Sequence, residues 1–96
     1  MSKTRYSRQT GDGQVAAKNA FLHNVSIAPT TATPTAGLLS IYDSTAESGN
    51  VVYSEWIFAT TPGHTINLDV FCDKGIYVGY DATLANVSVT VSYSGG

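Results

Sequence analysis

The sequence predicts an all-β protein: one antiparallel β-sandwich, jelly-roll or immunoglobulin-like, of about six strands behind a flexible N-terminal arm. Three observations carry that expectation. From Ala20 onward apolar residues recur at every second position, the period of a half-buried strand. Clusters of Gly, Pro, Asn and Asp interrupt the pattern at near-regular intervals, and no stretch supports a helix of three turns. Finally, 22 of the 96 residues are Ser or Thr and only 12% are charged, where about a quarter is usual. A chain rich in Thr, Val, Tyr and Ser favours strands, and 96 residues suffice for one domain, not two.

Residues 1–19 read as the arm and residues 20–96 as the sandwich. The arm has no lasting alternation, and Gln14–Ala20 favours one helical turn, too short to stand alone. The first strand, Ala20–Ala28, puts Phe21, His23, Val25 and Ile27 on one face and Leu22, Asn24, Ser26 and Ala28 on the other. Pro29 and Pro34 bracket an extended loop. The second strand, 36–43, points Leu39 and Ile41 inward, and 44–50 is a loop rich in Ser and Gly. In the third strand, 51–59, Val52, Trp56 and Phe58 share a phase that reads as core, although Ser54 shares it too. Its other face, with Val51, Tyr53, Glu55 and Ile57, is also largely apolar. After the turn at 60–63, the strand 64–72 aims Ile66, Leu68, Val70 and Cys72 inward. Asp73-Lys74-Gly75 is the strongest hairpin signal present. It leads into the strand 75–81, and 84–93 closes the chain with Val87, Val89, Val91 and Tyr93 on one face.

The residue types exclude several chemistries. A nucleophilic triad needs a Ser or Cys, a His in reach and an acid to orient it. His23, His64 and Cys72 form no such motif, and Cys72 falls in phase with a core face. Two His and one Cys far apart do not supply a four-ligand zinc site, and Asp69 and Asp73 lack a calcium-loop pattern. The Gly11-Asp12-Gly13 segment lacks phosphate-loop spacing. The reading is therefore no enzyme, no cofactor and no metal. No apolar run reaches the about 20 residues of a membrane helix, and the polar start has no secretory core. One cysteine excludes an internal disulfide framework and fits a reducing cytoplasm.

Charge is unevenly placed. Residues 1–18 hold Lys3, Arg5, Arg8 and Lys18 against Asp12, a net of +3. The remainder holds Lys74 against five further Asp or Glu beside Glu55, a net of −5. An arm of this charge, with Tyr6 between Arg5 and Arg8, suits docking on an acidic protein surface. Nucleic acid is disfavoured, since four cations contact few phosphates and the −5 body opposes binding. Lys3, Arg5, Tyr6, Arg8 and Lys18 are the expected partner-binding residues. Apolar residues also exceed what so small a domain buries. Leu22, Val51, Tyr53, Ile57, Phe71, Tyr77 and Tyr80 are the surplus; all but Val51 are taken as interface residues of a homo-oligomer, a trimer favoured.

The stretch CDKGIYVGYDATLANVSVTVSY resembles the endings of small tailed-phage virion proteins, in which a strand runs into Gly-aliphatic-Tyr-Val and a Val/Ser/Thr strand closes the chain. LLSIYDSTAESGNVVYSEWIF is similar to their middles. The resemblance spans residues 36–93. It implies a β-sandwich structural protein of a phage particle, made in the host cytoplasm: a capsid cement or decoration protein bound to the major capsid protein. A head–tail adaptor, a tail or fibre component, and a carbohydrate-binding sandwich stacking Trp56, Tyr53, Tyr77 or Tyr80 on sugars are the rivals.

Overall fold

In the computed structural model, which describes residues 4–32 and 34–95, there are eight strands rather than six. They are β1 (Thr4–Gln9), β2 (Gly13–Ala16), β3 (Ala20–Pro29), β4 (Gly37–Asp43), β5 (Asn50–Ile57), β6 (His64–Cys72), β7 (Ile76–Tyr80) and β8 (Val87–Gly95). Two four-stranded antiparallel sheets result, ordered β1-β8-β3-β6 and β2-β7-β4-β5. The chain pairs first strand with last, second with seventh, third with sixth and fourth with fifth. It behaves as one long hairpin folded across two sheets.

The two additional strands correct the expected arm. Thr4–Gln9 runs antiparallel to β8 from Thr4↔Ser94 to Gln9↔Val89, and Gly13–Ala16 pairs with β7. Both are edge strands. Their backbone groups are satisfied by a neighbour's ladder, so they need little apolar burial of their own and carry no apolar period of two. Asn19, with φ of 48°, bends the chain from β2 towards β3.

The core lies between the sheets. Leu39 and Ile41 of β4, Ile76 and Val78 of β7, Val87, Val89 and Val91 of β8, and Cys72 are buried. So are Leu22, Ile57 and Tyr80, which the sequence assigns to an interface. Two bulges explain the first two. In β3 the register against β8 slips between Leu22↔Tyr93 and Asn24↔Ser92, leaving His23 as the additional residue. Ala20 and Leu22 therefore face inward before the slip, and Val25 and Ile27 after it. Strict alternation would place Leu22 and Val25 on opposite faces. In β5 the register against β4 slips between Ile41↔Tyr53 and Tyr42↔Val51, so Val52 is additional. Ile57 closes the core while Trp56 and Phe58, read as core, stand 46% and 59% exposed. Tyr80 is inside for a different reason. Its phenol spans the sandwich from β7, donating to the Val87 carbonyl at 2.6 Å and lying 3.2 Å from that of Gln9. Burial pushes this phenol up to about 12.

The expected hairpin at 73–75 is a crossing instead, because β6 and β7 belong to different sheets. Gly75 is needed for its φ of 135° and for room: a Cβ there would meet the Ala16 carbonyl oxygen at 2.6 Å.

Candidate interaction surfaces

Register places the remaining side chains. On the outer face of the β1-β8-β3-β6 sheet, three rows run from edge to edge. Arg8, Thr90, Ser26 and Thr65 form one, and Tyr6, Ser92, Asn24 and Asn67 the next. Thr4, Ser94, Phe21 and Phe71 form the third. Here the abundance of Ser and Thr finds its place. The short hydroxyls hold one another and the backbone: Ser26 and Thr65 are 2.9 Å apart, Ser88 donates to the Ala28 carbonyl at 3.2 Å, and Ser94 lies 2.8 Å from Nε2 of His23. The result is a nearly uncharged face, small in the middle, with Tyr6 72% exposed at one edge and Phe71 57% exposed at the other.

The outer face of the β2-β7-β4-β5 sheet differs. Leu38 and Trp56 pair across β4 and β5 and are both exposed, and the Phe58 ring meets that of Trp56 edge-on, 6.4 Å between centroids. Ser40, Ser54 and Gly79 occupy the middle. At the far end Tyr42 and Tyr77 meet edge-on at 6.5 Å, with Val51 exposed beside Tyr42. Acidic groups gather at the rim. Asp81 accepts a hydrogen bond from the Leu38 amide at 3.3 Å, and Asp12 accepts one from the Tyr80 amide at 2.6 Å. Glu47 folds over Gly79. Loss of water, then repulsion from Asp12, its hydrogen bond and Asp81, raises the Glu47 carboxyl.

A third group joins the two sheets along the side where β5 and β6 are the edges. Glu55 accepts hydrogen bonds from the Tyr53 hydroxyl at 2.7 Å and from Nε2 of His64 at 2.9 Å. Nδ1 of His64 lies 2.8 Å from the Pro62 carbonyl. Burial raises the Glu55 carboxyl, but the bonds from Tyr53 and His64 outweigh it and leave the group lowered. The bonds to Glu55 and then to Pro62 raise His64. Burial and the bond to Glu55 push Tyr53 up to about 12. Both ring nitrogens of His64 therefore face an oxygen.

The expected partner-binding residues divide as follows. Arg5, Tyr6 and Arg8 are exposed on β1, with Tyr6 and Arg8 on the outer face, and Lys18 is exposed in the bend before β3. Lys3 lies outside the described residues. Of the expected interface residues, Phe71 is exposed. Tyr53 and Tyr77 are half-buried, and Leu22, Ile57 and Tyr80 are core. Leu38, Trp56 and Phe58 are exposed residues that sequence reasoning missed. The signal was Ser54, which shares the phase of Trp56 and Phe58 and marks it as the wet one. Cys72 is fully buried, and burial followed by the nearby Asp43 pushes its thiol up to about 11. It is an apolar core group, as its phase predicts. Among the described residues no three His, Cys, Asp or Glu side chains gather to hold a metal ion.

No protein-family model matches the chain, and no curated protein matches it. Among solved structures it is similar to RmlC from Streptococcus suis, in complex with dTDP-D-xylose, at 15% identity and a TM-score of 0.33. That alignment covers 100% of this chain and 43% of the other, so the chain spans less than half the length of that protein.

Proposed function

We propose that the chain is a non-enzymatic structural protein of a phage particle: a capsid cement protein that binds the shell of the major capsid protein as a homo-oligomer, a trimer favoured. One observation carries the reading. The core is closed without Tyr6, Leu38, Val51, Trp56, Phe58 and Phe71, and these large side chains are spread over both outer sheet faces. Leu38, Trp56 and Phe58 are contiguous on one of these faces, and a contiguous exposed apolar patch supports contact with other protein. The low charge of the faces removes the main cost of burying them. Basic edge strand β1, with Arg5, Tyr6 and Arg8, adds an anchor for an acidic neighbour. The strand order is that of jelly rolls, which viral capsid domains share with lectins and cupins. The architecture therefore agrees with the phage resemblance of residues 36–93 without selecting it.

Electron microscopy of the intact particle tests this. Density for the sandwich in many copies where capsomers meet is the expected result. A single ring at the neck favours the adaptor reading instead. Purified particles without the protein overturn the virion reading. A carbohydrate-binding module remains the second reading because Trp56 is exposed, with Leu38 and the Asp81 carboxylate beside it. Quenching of Trp56 fluorescence by a soluble glycan, with none by capsid shells, selects that reading.

A further inference from the structure

We propose that Glu55, His64 and Tyr53 form a pH-sensitive latch that fastens the β5 edge of one sheet to the β6 edge of the other and opens as His64 loses its proton. The count of donors on the imidazole decides when the latch holds. Two oxygens face the imidazole, Pro62 O at 2.8 Å from Nδ1 and Glu55 Oε1 at 2.9 Å from Nε2. Both are acceptors, so both contacts are hydrogen bonds only when the ring carries two N–H groups, that is, as imidazolium. The neutral ring has one N–H. One of its lone pairs must then face an oxygen, and that contact becomes repulsive.

Among the described residues the ring hydrogen-bonds to these two oxygens and to no other side chain. From β5 the ring meets the Glu55 carboxylate, which also takes the Tyr53 hydroxyl. From β3 its cross-strand partner is the apolar Ile27. From its own loop it meets the Pro62 carbonyl. Glu55 is the charged group that acts on it. With side chains 30% and 23% exposed, His64 and Glu55 are sheltered enough for the pair to count and open enough for a proton to leave.

The segment between β5 and β6 leads directly into this contact. Residues 58–61 close a turn on themselves, with the Phe58 amide donating to Thr61 Oγ1 at 2.8 Å and the Thr61 amide donating to the Phe58 carbonyl at 3.1 Å. Pro62 then ties that turn to His64. Opening the latch frees the turn that carries Phe58, and with it the Trp56–Phe58 ring contact. The sign follows from the two partners. A raised His64 stabilises fully below the ordinary imidazole value of about 6.5 and ceases to do so as pH rises through its folded value. A lowered Glu55 stabilises fully above the ordinary carboxyl value of about 4.3 and ceases to do so as pH falls through its folded value. The latch is closed between those limits.

The test is an NMR titration of the whole chain. The latch predicts a His64 ring that titrates above the free imidazole, with the amides of Phe58, Thr61 and Gly63 shifting along the same curve. It also predicts a midpoint of thermal unfolding that falls by several degrees from mildly acidic to mildly alkaline pH, below the range where Cys72, Tyr53 and Tyr80 titrate, the size that one charge-assisted hydrogen bond gives in a domain of this length. In His64→Gln and Glu55→Gln that fall disappears. A His64 ring titrating at or below the free value, or wild-type and His64→Gln profiles that run parallel, overturns the latch. The titration uses the isolated protein, so either outcome leaves the virion reading standing.

Discussion

Replacing Tyr80 with Phe removes one oxygen and leaves the ring in place. The phenol reaches from β7 to the Val87 carbonyl on the opposite sheet at 2.6 Å, and the residue is 8% exposed. Two effects add. The hydrogen bond itself contributes about 1 kcal/mol. The Val87 carbonyl then loses a buried donor, which costs about 1 kcal/mol more when no water reaches it. A loss of about 1–2 kcal/mol shifts the unfolding midpoint by roughly 4–16 °C in a domain of this size. The alkaline limb changes as well. In the folded chain the phenol is pushed up to about 12 by burial, above its ordinary value of about 10. A raised phenol stabilises fully below the ordinary value, and that contribution is lost as pH rises through the folded one. Tyr80→Phe should therefore unfold at lower temperature at neutral pH, lose the Tyr80 component of the late phenolate absorbance, and keep its oligomeric state. Thermal unfolding by circular dichroism and light scattering on one sample read all of this. An unchanged midpoint with a lost oligomer would refute the reasoning and return Tyr80 to the interface where the sequence alone puts it.

Trp56→Ser and Phe58→Ser touch exposed rings, so stability should stay within about 0.5 kcal/mol while self-association weakens; sedimentation beside a denaturation curve checks both. Gly75→Ala should be severely destabilising, because its Cβ would lie 2.6 Å from the Ala16 carbonyl at a φ of 135°. A soluble Gly75→Ala variant with the wild-type urea midpoint would contradict the account of the β6–β7 crossing.

The sandwich was legible because β4, β6 and β8 keep a clean period of two, with Leu39 and Ile41, Cys72, and Val87, Val89 and Val91 all facing inward. What was hidden has three physical sources. Edge strands β1 and β2 draw on a neighbour's ladder, so Thr4–Gln9 carries no apolar rhythm to read. Bulges at His23 and Val52 reverse the phase within a strand, so Leu22 moves from expected interface to core while Trp56 moves the other way. Gly75 serves equally as a hairpin residue and as a crossing residue, and only the pairing of distant strands decides between them. The latch was hidden for a similar reason. Glu55 and His64 belong to different sheets, and their meeting follows from how the sheets are stacked. The charge asymmetry survives in altered form: the cations expected on a free arm stand partly on a paired edge strand, where Arg8 and Tyr6 join the hydroxyl-rich outer face.

The central claim is that this chain works by burying its outer sheet faces against other protein. Sedimentation velocity over the micromolar range, at low and at physiological salt, tests it most directly. The account predicts a discrete species at a small multiple of 10.1 kDa, weakened by Trp56→Ser. A monodisperse species of 10.1 kDa under all those conditions, unchanged by the substitution, would contradict it.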